Sequence, residues 1–218
     1  MIRPGNNPGT HKLSSQFAII LCNLQVHCMK MKEFKCKLQE YYNFSEEDWA
    51  LTEAAFLPEK LAAKNYFLKK DKVSDRIAYV LSGMLRSFFY NDQADEITTH
   101  FFKPKNVVIS IESFNMQVPS LEFIVAVEDC ELLVVSYDRM QDLMQRIPAW
   151  QQIVKNTDQY KYRQQMKRAI QFQTLSASER YMWLLEKHPD IVQKVALKHI
   201  ASYLGIDIAT LSRLRKRI

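Results

Sequence analysis

The sequence predicts an α+β protein with a β domain in its first half, helices after it and a helix-turn-helix at its end. Between Leu61 and Val135, short apolar runs rich in β-branched and aromatic residues recur at roughly ten-residue spacing, which indicates an antiparallel sandwich or barrel. After Ser136, the apolar spacing becomes helical. The segment Lys198–Ile218 then places apolar residues, a glycine and a capping aspartate at the spacing of two packed helices.

Composition limits the classes of protein. The chain has 218 residues, 47% of them hydrophobic and 25% charged, which is typical of a globular protein with one or two domains. The net charge of +6 favours an anionic partner. Five Lys or Arg follow from Lys198 to the end, and five lie between Lys155 and Arg168, each group with one Asp. No apolar run reaches the ~18 residues that cross a bilayer, so we expect a cytoplasmic protein without membrane partners.

The N-terminal residues 1–40 are expected to be an extension, disordered or partly helical. The apolar run Phe17–Cys22 is short for a signal peptide and no small-residue cleavage pattern follows it. Residues 1–28 are therefore either a disordered extension or sequence upstream of a start at Met29 or Met31. In a cytoplasmic protein, we expect free thiols at all four cysteines: Cys22, Cys28, Cys36 and Cys130.

Residues 41–147 are expected to form the β domain with flanking helices. Ser45, followed by three acidic residues, predicts a capped helix that Pro58 ends. Glu112–Phe114 predicts a short helical insert between strands, and Tyr137–Arg146 a helix after them. The predicted strands are Tyr66–Leu68, Ile77–Leu81, Leu85–Tyr90, Ile97–Phe102, Phe123–Val127 and Glu131–Val135.

One long helix is predicted over residues 148–173, because Pro148 suits a first helical turn and the helical spacing of apolar residues continues to about Phe172. A polar helix of this length needs a partner. A second copy of the chain is the economical choice, and packing onto its own β domain is the alternative. In residues 174–218, Ser176–Glu179 predicts a capping box. The helix that follows closes at His188–Pro189, and Ile191–Leu197 is expected to be a short strand or loop.

The terminal segment has the spacing of a DNA-binding helix-turn-helix. Gly205 can adopt the turn, and Asp207 can cap the second helix, predicted over residues 207–217. The apolar positions are Ile200, Ala201, Leu204, Ile206, Leu211 and Leu214. Small hydroxyls and cations on one helix suit base edges and phosphates. We expect Thr210 and Arg213 to contact bases. Phosphate contacts are expected from Ser212, Lys216, Arg217 and Lys198. An ordinary amphipathic helix pair is the alternative.

The order of these elements resembles the Crp/Fnr family of bacterial transcription regulators, in the branch common in Bacteroidetes. The most specific matches are Tyr79–Arg86, Glu112–Phe114, Pro119–Ser120, Ala126–Asp129 and Ile200–Leu214. The resemblance implies a β roll like that of cyclic-nucleotide-binding domains, a dimerisation helix at 148–173 and a C-terminal domain like a winged helix. It also implies a homodimer, a near-palindromic operator in double-stranded DNA, and RNA polymerase as a protein partner.

The effector site departs from the family pattern. The family uses a glycine, a glutamate for the ribose and an arginine for the cyclic phosphate. Between His100 and Val125 this chain has no glycine and no arginine, and Glu122 follows the expected arginine position. The candidate pocket residues are Glu112, Ser113, Pro119 and Ser120. We expect no binding of cyclic AMP in the usual mode, and no other cofactor is indicated.

Two further departures concern the DNA-binding end. Ile208-Ala209 replaces a base-reading Arg-Glu pair of the family, so the operator sequence should differ from the familiar one. The chain stops at Ile218, so we expect the final wing hairpin to be missing.

Other functions are less well supported. The sequence contains no G-x-S-x-G, Walker or H-E-x-x-H motif, so we expect no enzyme. The alternative is a ligand- or redox-sensing β-roll protein, for a small molecule or an iron–sulfur cluster, with weak or no DNA binding. The N-terminal spacing C-x5-C-x7-C differs from the C-x2-C-x5-C of the family's cluster proteins, and we therefore expect no metal site.

Overall fold

The computed structural model describes residues 31–217, which divide into two compact units between Glu53 and Ala54. In the first unit, residues 31–39 form helix α1. Ser45 and Asp48 then form a reciprocal cap: the Asp48 amide donates to Ser45 Oγ (3.0 Å) and the Ser45 amide to Asp48 Oδ2 (3.1 Å). This confirms the predicted helix start. The expectations for residues 1–28, including Cys22 and Cys28, lie outside the described residues.

Two four-stranded antiparallel sheets form the β roll, with strand orders β1-β8-β3-β6 and β2-β7-β4-β5. The strands are β1 (Leu57–Leu61), β2 (Tyr66–Leu68), β3 (Arg76–Ser82), β4 (Leu85–Tyr90), β5 (Glu96–Phe102), β6 (Val107–Val108), β7 (Phe123–Ala126) and β8 (Cys130–Ser136). Side chains of both sheets meet in one buried core that includes Val80, Leu85, Phe102, Ile124 and Leu132. The α+β class and the six predicted strands are confirmed.

Two strands were not predicted. Pro58 is expected to end a helix, but that helix ends at Ala55 and Pro58 lies within β1. β1 pairs with β8 alone, at the edge of its sheet, where a residue without an amide hydrogen is tolerated. β6 is only two residues long, which is too short to produce an alternating pattern.

The helices after α1 are α2 (Glu46–Ala55), α3 (Ile111–Met116), α4 (Tyr137–Arg146), α5 (Pro148–Thr174), α6 (Ala177–Lys187), α7 (Pro189–Lys194), α8 (Leu197–Leu204) and α9 (Ile208–Arg215). The helical insert, the long helix and the capping box at Ser176 are confirmed. The expectation of a strand or loop over 191–197 is wrong in its first half. Pro189 begins α7 because proline is favoured in a first helical turn.

Helix α5 packs one of its faces on the β roll. Trp150 is 3% exposed and stacks on Phe56, with ring centroids 5.3 Å apart. Farther along, Lys161 Nζ donates to the Val107 carbonyl oxygen at 3.0 Å. One face of α5 is therefore covered by the chain's own β domain, which is the alternative partner considered for this helix. The opposite face carries an exposed stripe of apolar side chains, defined here as Tyr162, Met166 and Ile170.

The C-terminal helices α6–α9 share a second buried cluster with the β roll. Met84 and Phe101 of the roll pack with residues of all four helices or their junctions, among them Tyr181, Leu184, Ile191, Ile200 and Leu211. Within residues 31–217, no helix combines the length and the apolar character needed to cross a bilayer.

Candidate nucleic-acid interface and polar cluster of the β roll

The turn between α8 and α9 has the geometry that its sequence predicts. The backbone of Gly205 adopts the left-handed helical conformation, with φ 64° and ψ 40°. The Ile206 amide donates to the Ala201 carbonyl oxygen at 3.0 Å, which closes α8 in the way that a left-handed glycine cap permits. Ile200, Ala201 and Leu211 are each at most 1% exposed. The inner sides of the two helices are thus packed together, and the outer side of α9 remains accessible.

Three side chains are linked along the exposed first turns of α9. The Thr210 amide donates to Asp207 Oδ1 and its hydroxyl to Asp207 Oδ2, both at 2.7 Å. Arg213 Nη2 then donates to Thr210 Oγ1 at 3.0 Å. The backbone hydrogen bond from Thr210 lowers the pKa of the Asp207 carboxyl, so the cap is ionised. This chain of contacts places the Arg213 guanidinium over the N-terminal half of α9.

The other predicted DNA contacts lie around this helix. Helix α9 ends at Arg215, so it is shorter than the predicted 207–217. Lys216 is the C-terminal cap, and Arg217 follows it. Ser212 is half-buried, and Lys198 is exposed in the first turn of α8. The predicted residues therefore belong to α9, to its end and to the start of α8.

The basic segment 155–168 is only partly a surface feature. Lys155, Arg163 and Lys167 are exposed. Lys161 and Arg168 instead turn toward the β roll, where both donate hydrogen bonds to backbone carbonyl groups. Two of the five cations are thus used within the fold and do not contribute to an anion-binding surface.

A polar cluster, defined here as Ser87, Thr99, Ser110, Glu122 and Lys161, lies on the side of the β roll that α5 covers. The Thr99 hydroxyl donates to Glu122 Oε2 at 3.1 Å and is 2.6 Å from Ser87 Oγ. Burial raises the pKa of the Glu122 carboxyl, and the hydroxyls of Thr99, Ser87 and Ser110 oppose that shift. Burial also lowers the pKa of the Lys161 ammonium to about 8, against the pull of Glu122 and Asp158.

His100 is a neutral neighbour of this cluster. Its ring packs on Phe102 with centroids 4.7 Å apart. Burial lowers the pKa of His100 to about 3, and the nearby charges of Lys161 and Arg168 act in the same direction. The imidazole therefore carries no charge at physiological pH and contributes no positive site for a phosphate.

The predicted effector residues do not converge on one point. Glu112 and Pro119 are exposed. Ser113 is buried, but its hydroxyl donates to the Val118 carbonyl oxygen at 2.6 Å and accepts from the Ser74 amide at 2.8 Å. Ser120 alone adjoins the polar cluster, since the Glu122 amide donates to its hydroxyl at 3.2 Å. The assignment of these four residues to an effector pocket stays a prediction.

Sequence reasoning missed the residues that do converge. Ser87, Thr99 and Lys161 lie on β4, β5 and α5, and no local motif connects them. The one available signal was the helical spacing of Lys161 from Trp150, Ile153 and Thr157, which suggests the inward face of α5.

The cysteines within the described residues do not form a cluster site. Cys130 is buried, and its thiol hydrogen-bonds the carbonyl oxygens of Met84 (3.5 Å) and Glu128 (3.2 Å). Burial raises the pKa of this thiol to about 11, so it stays protonated, whereas metal ligation needs a thiolate. Cys36 is exposed. Residues 31–217 contain no group of three or more His, Cys, Asp or Glu that could hold a metal ion.

Replacing Lys161 with methionine should change how stability depends on pH. The folded pKa of about 8 lies below the ordinary value of 10.5, so between these values the unfolded chain binds a proton that the folded chain does not. The free energy of unfolding of the wild type should therefore rise relative to that of Lys161→Met as pH increases from about 8 to about 10.5. Denaturant unfolding across this range measures the difference. Lys155→Met, at an exposed position of α5, is the control. If the difference in the free energy of unfolding between the wild type and Lys161→Met does not change with pH, the pKa of Lys161 is not lowered by folding.

Comparison with known proteins identifies the β roll. Residues 58–147 match the family described as the cyclic nucleotide-binding domain. No curated protein matches the sequence. The prediction of a Bacteroidetes branch stays a prediction.

Solved structures extend the similarity to most of the chain. The c-di-GMP-responsive global regulator CLP of Xanthomonas campestris is 18% identical, with a TM-score of 0.63 over 79% of this chain and 91% of that one. FixK2 of Bradyrhizobium japonicum is 16% identical, with a TM-score of 0.64 over 74% and 83%. A transcriptional regulator of the Crp/Fnr family from Eubacterium rectale is 16% identical, with a TM-score of 0.65 over 80% and 83%. Residues 58–147 thus match the cyclic nucleotide-binding domain family, and the chain shares the fold of these solved regulators.

Proposed function

We propose that this protein is a DNA-binding transcription regulator of the Crp/Fnr type that reads a near-palindromic operator with α9. The observation that carries the proposal is the structure of the α8–α9 pair. Its apolar residues are buried in the second core cluster, while Arg213, Arg215, Lys216 and Arg217 are exposed along and just after α9. An exposed helix of this size with cations on its outer side fits the major groove.

Within this proposal, some DNA contacts read bases and the others position the protein on the DNA backbone. Arg213 would pair with a guanine edge, which is the commonest specific contact of arginine. The Thr210 hydroxyl is bonded to Asp207 and Arg213, so its methyl group is the part available to a thymine methyl. Phosphate contacts, which fix register without reading sequence, would come from Ser212, Lys216, Arg217 and Lys198.

The proposed active form is a homodimer through residues 148–173. The exposed stripe of Tyr162, Met166 and Ile170 recurs every fourth residue, which places these side chains on one side of α5. A second copy related by a two-fold axis would cover the same stripe on each subunit. Two copies of α9 could then enter the major groove about one helical turn apart, roughly 34 Å.

The effector function is proposed to differ from that of a cyclic AMP receptor. The polar cluster holds the half-buried carboxyl group of Glu122 beside the predicted phosphate position, and His100 is neutral. An ionised Glu122 would repel a cyclic phosphate there, at a cost on the order of 1–4 kcal/mol for charges ~4 Å apart. Burial raises the pKa of this carboxyl and so lessens the repulsion, but it supplies no positive partner for the phosphate. We place the sensor domain at 41–147 and the DNA-binding domain at 174–218. The protein is proposed to be a cytoplasmic non-enzyme that acts with RNA polymerase.

Selection of bound sites from random double-stranded DNA tests this function, at two salt concentrations and with or without cyclic AMP. We expect a near-palindrome whose affinity falls steeply with salt, because each phosphate contact releases counterions. Cyclic AMP should leave the affinity unchanged. Retention of no DNA under any condition would instead favour a ligand-sensing β-roll protein, and a large gain with cyclic AMP would contradict the degenerate pocket.

Replacing Lys216 with alanine should weaken binding to all DNA sequences alike. The side chain is exposed at the C-terminal cap of α9, where it would meet phosphate and no base edge. Loss of one phosphate contact lowers the slope of log affinity against log salt by about 1. Titrations of the selected site and of unrelated DNA measure this slope. Lys167→Ala, at an exposed position on α5, is the control. A loss confined to the selected site would mean that Lys216 reads bases.

A further inference from the structure

The outer edge of β5 is closed by a side chain of the helix-turn-helix. β5 is the last strand of its sheet and pairs with β4 alone. The Thr98 amide donates to Ser202 Oγ at 2.9 Å, and the Ser202 hydroxyl donates to the Glu96 carbonyl oxygen at 2.6 Å. An edge strand normally offers such groups to solvent or to another strand. Here, α8 takes the place of a neighbouring strand.

Arg168 of α5 joins the same two elements. Its Nη2 donates to the carbonyl oxygens of Thr98 (3.0 Å) and Tyr203 (2.9 Å), and its Nη1 donates to that of Thr99. The guanidinium also lies 4.2 Å from the centre of the Tyr203 ring. Within residues 31–217, no carboxylate forms an ion pair with it. A planar group with several fixed donors can bridge these three oxygens, whereas a lysine ammonium has a different geometry.

Other contacts across this junction are less directional. Phe101 and Tyr203 have ring centroids 5.1 Å apart. Lys194 pairs with Glu128 at 2.8 Å, and Lys103 with Asp190 at 3.2 Å, but these side chains are partly exposed. Partly exposed ion pairs contribute little and tolerate movement. The buried cluster around Met84 and Phe101 also holds the helix-turn-helix on the roll, but apolar packing is less directional than hydrogen bonding. The hydrogen bonds of Arg168 and Ser202 are therefore the most directional contacts that orient the helix-turn-helix on the roll and on α5.

We propose that Arg168 and Ser202 set the spacing between operator half-sites that the protein accepts. The inference rests on the proposed function. Arg168 lies between Met166 and Ile170 of the exposed stripe, so the same turns of α5 would hold the partner subunit and the DNA-binding helices. In the proposed dimer, α5 is fixed relative to the two-fold axis. A helix-turn-helix that is held rigidly on α5 therefore keeps one orientation relative to that axis. The two copies of α9 are then held at one separation, and a palindrome with another spacing cannot engage both.

The experiment uses the full chain and three kinds of DNA: the selected palindrome, the same palindrome with its spacer changed by one or two base pairs, and a single half-site. The variants are Arg168→Lys, which keeps the charge and loses the planar donors, and Ser202→Ala. Arg163→Lys, at an exposed position of α5, is the matched control.

For the wild type and the control, we expect the spacer change to reduce affinity at least about tenfold, because simultaneous binding of both half-sites is lost. Arg168→Lys and Ser202→Ala should reduce the loss of affinity caused by the spacer change to about threefold or less. In these variants the two helix-turn-helix units can rotate to reach either spacing. Affinity for the single half-site should stay close to that of the wild type.

Hydrogen exchange at the Thr98 amide reports the junction without DNA. Its bond to Ser202 Oγ is lost in Ser202→Ala, so its exchange should be faster while the β-roll core amides stay protected. Faster exchange with an unchanged spacer penalty would overturn the inference and leave the proposed function standing. If the wild type binds neither palindrome nor half-site, the proposed function fails, and the inference fails with it.

Discussion

Replacing Arg213 with alanine is expected to relax the sequence preference of the protein at one position of each operator half-site. The guanidinium is exposed on α9 and is oriented by its 3.0 Å hydrogen bond to Thr210. In the proposed complex it would make two hydrogen bonds to one guanine, so its loss should cost about 1–3 kcal/mol of specific binding energy. Binding to unrelated DNA should change much less. Titration of the selected site and of its single-base variants measures both quantities.

Two controls make this expectation specific. Arg163→Ala removes an exposed arginine from α5 and should leave the base preference unchanged. Thr210→Val keeps the shape of the side chain but removes the hydroxyl that accepts from Arg213, so it should weaken the same base preference to a smaller extent. If Arg213→Ala retains full discrimination among single-base variants, α9 does not read the operator as proposed.

Replacing Gly83 with alanine should be the most destabilising of the changes considered. Gly83 lies where the chain leaves β3 for β4 and so passes from one sheet to the other. Its φ is +88°, and an added Cβ would lie 2.4 Å from the Asp129 carbonyl oxygen and 2.7 Å from Cys130 Cα. Both atoms belong to the backbone and cannot rotate away. Backbone strain and overpacking together should cost about 3 kcal/mol or more, measured by denaturant unfolding.

Gly205→Ala is the matched control for this change. Gly205 also has positive φ (+64°), but an added Cβ there would meet the ring of Phe172 at 2.6 Å, and that side chain is 40% exposed and can move. The left-handed conformation alone should cost about 1–2 kcal/mol. Equal losses in the two variants would show that the β3–β4 crossing can shift to make room for a side chain.

Much of the secondary structure could be predicted because its signals are local. Ser45, Ser176 and Asp207 each accept a hydrogen bond from an amide three residues later, so each helix start can be found from a short stretch of sequence. Where two signals overlap, prediction failed. Pro58 suits the end of a helix as well as an edge strand, and Pro189 suits the end of one helix as well as the start of the next.

The candidate DNA-binding helix pair could also be predicted, since its inner residues, its glycine and its cap fall within about twenty residues and their spacing follows from helix geometry. The residues of the polar cluster could not. Glu112 matches the position of the family's glutamate but is exposed, whereas Glu122 meets the hydroxyls of Thr99 and Ser87. Which hydroxyls and charged groups come together depends on how the strands and α5 pack. That packing cannot be derived from the spacing of residues in the sequence.

By itself, the sequence determined the order of the elements, their capped ends, the α+β class and the amphipathic pair at the C-terminus. The tertiary structure alone decided which cations turn toward the β roll, since Lys161 and Arg168 look like their exposed neighbours Arg163 and Lys167 in the sequence. It also decided that Ser202 bonds Thr98, 104 residues away along the chain. Caps and periodicity act over a few residues, whereas an edge strand takes its partner from whichever element the folded chain brings beside it.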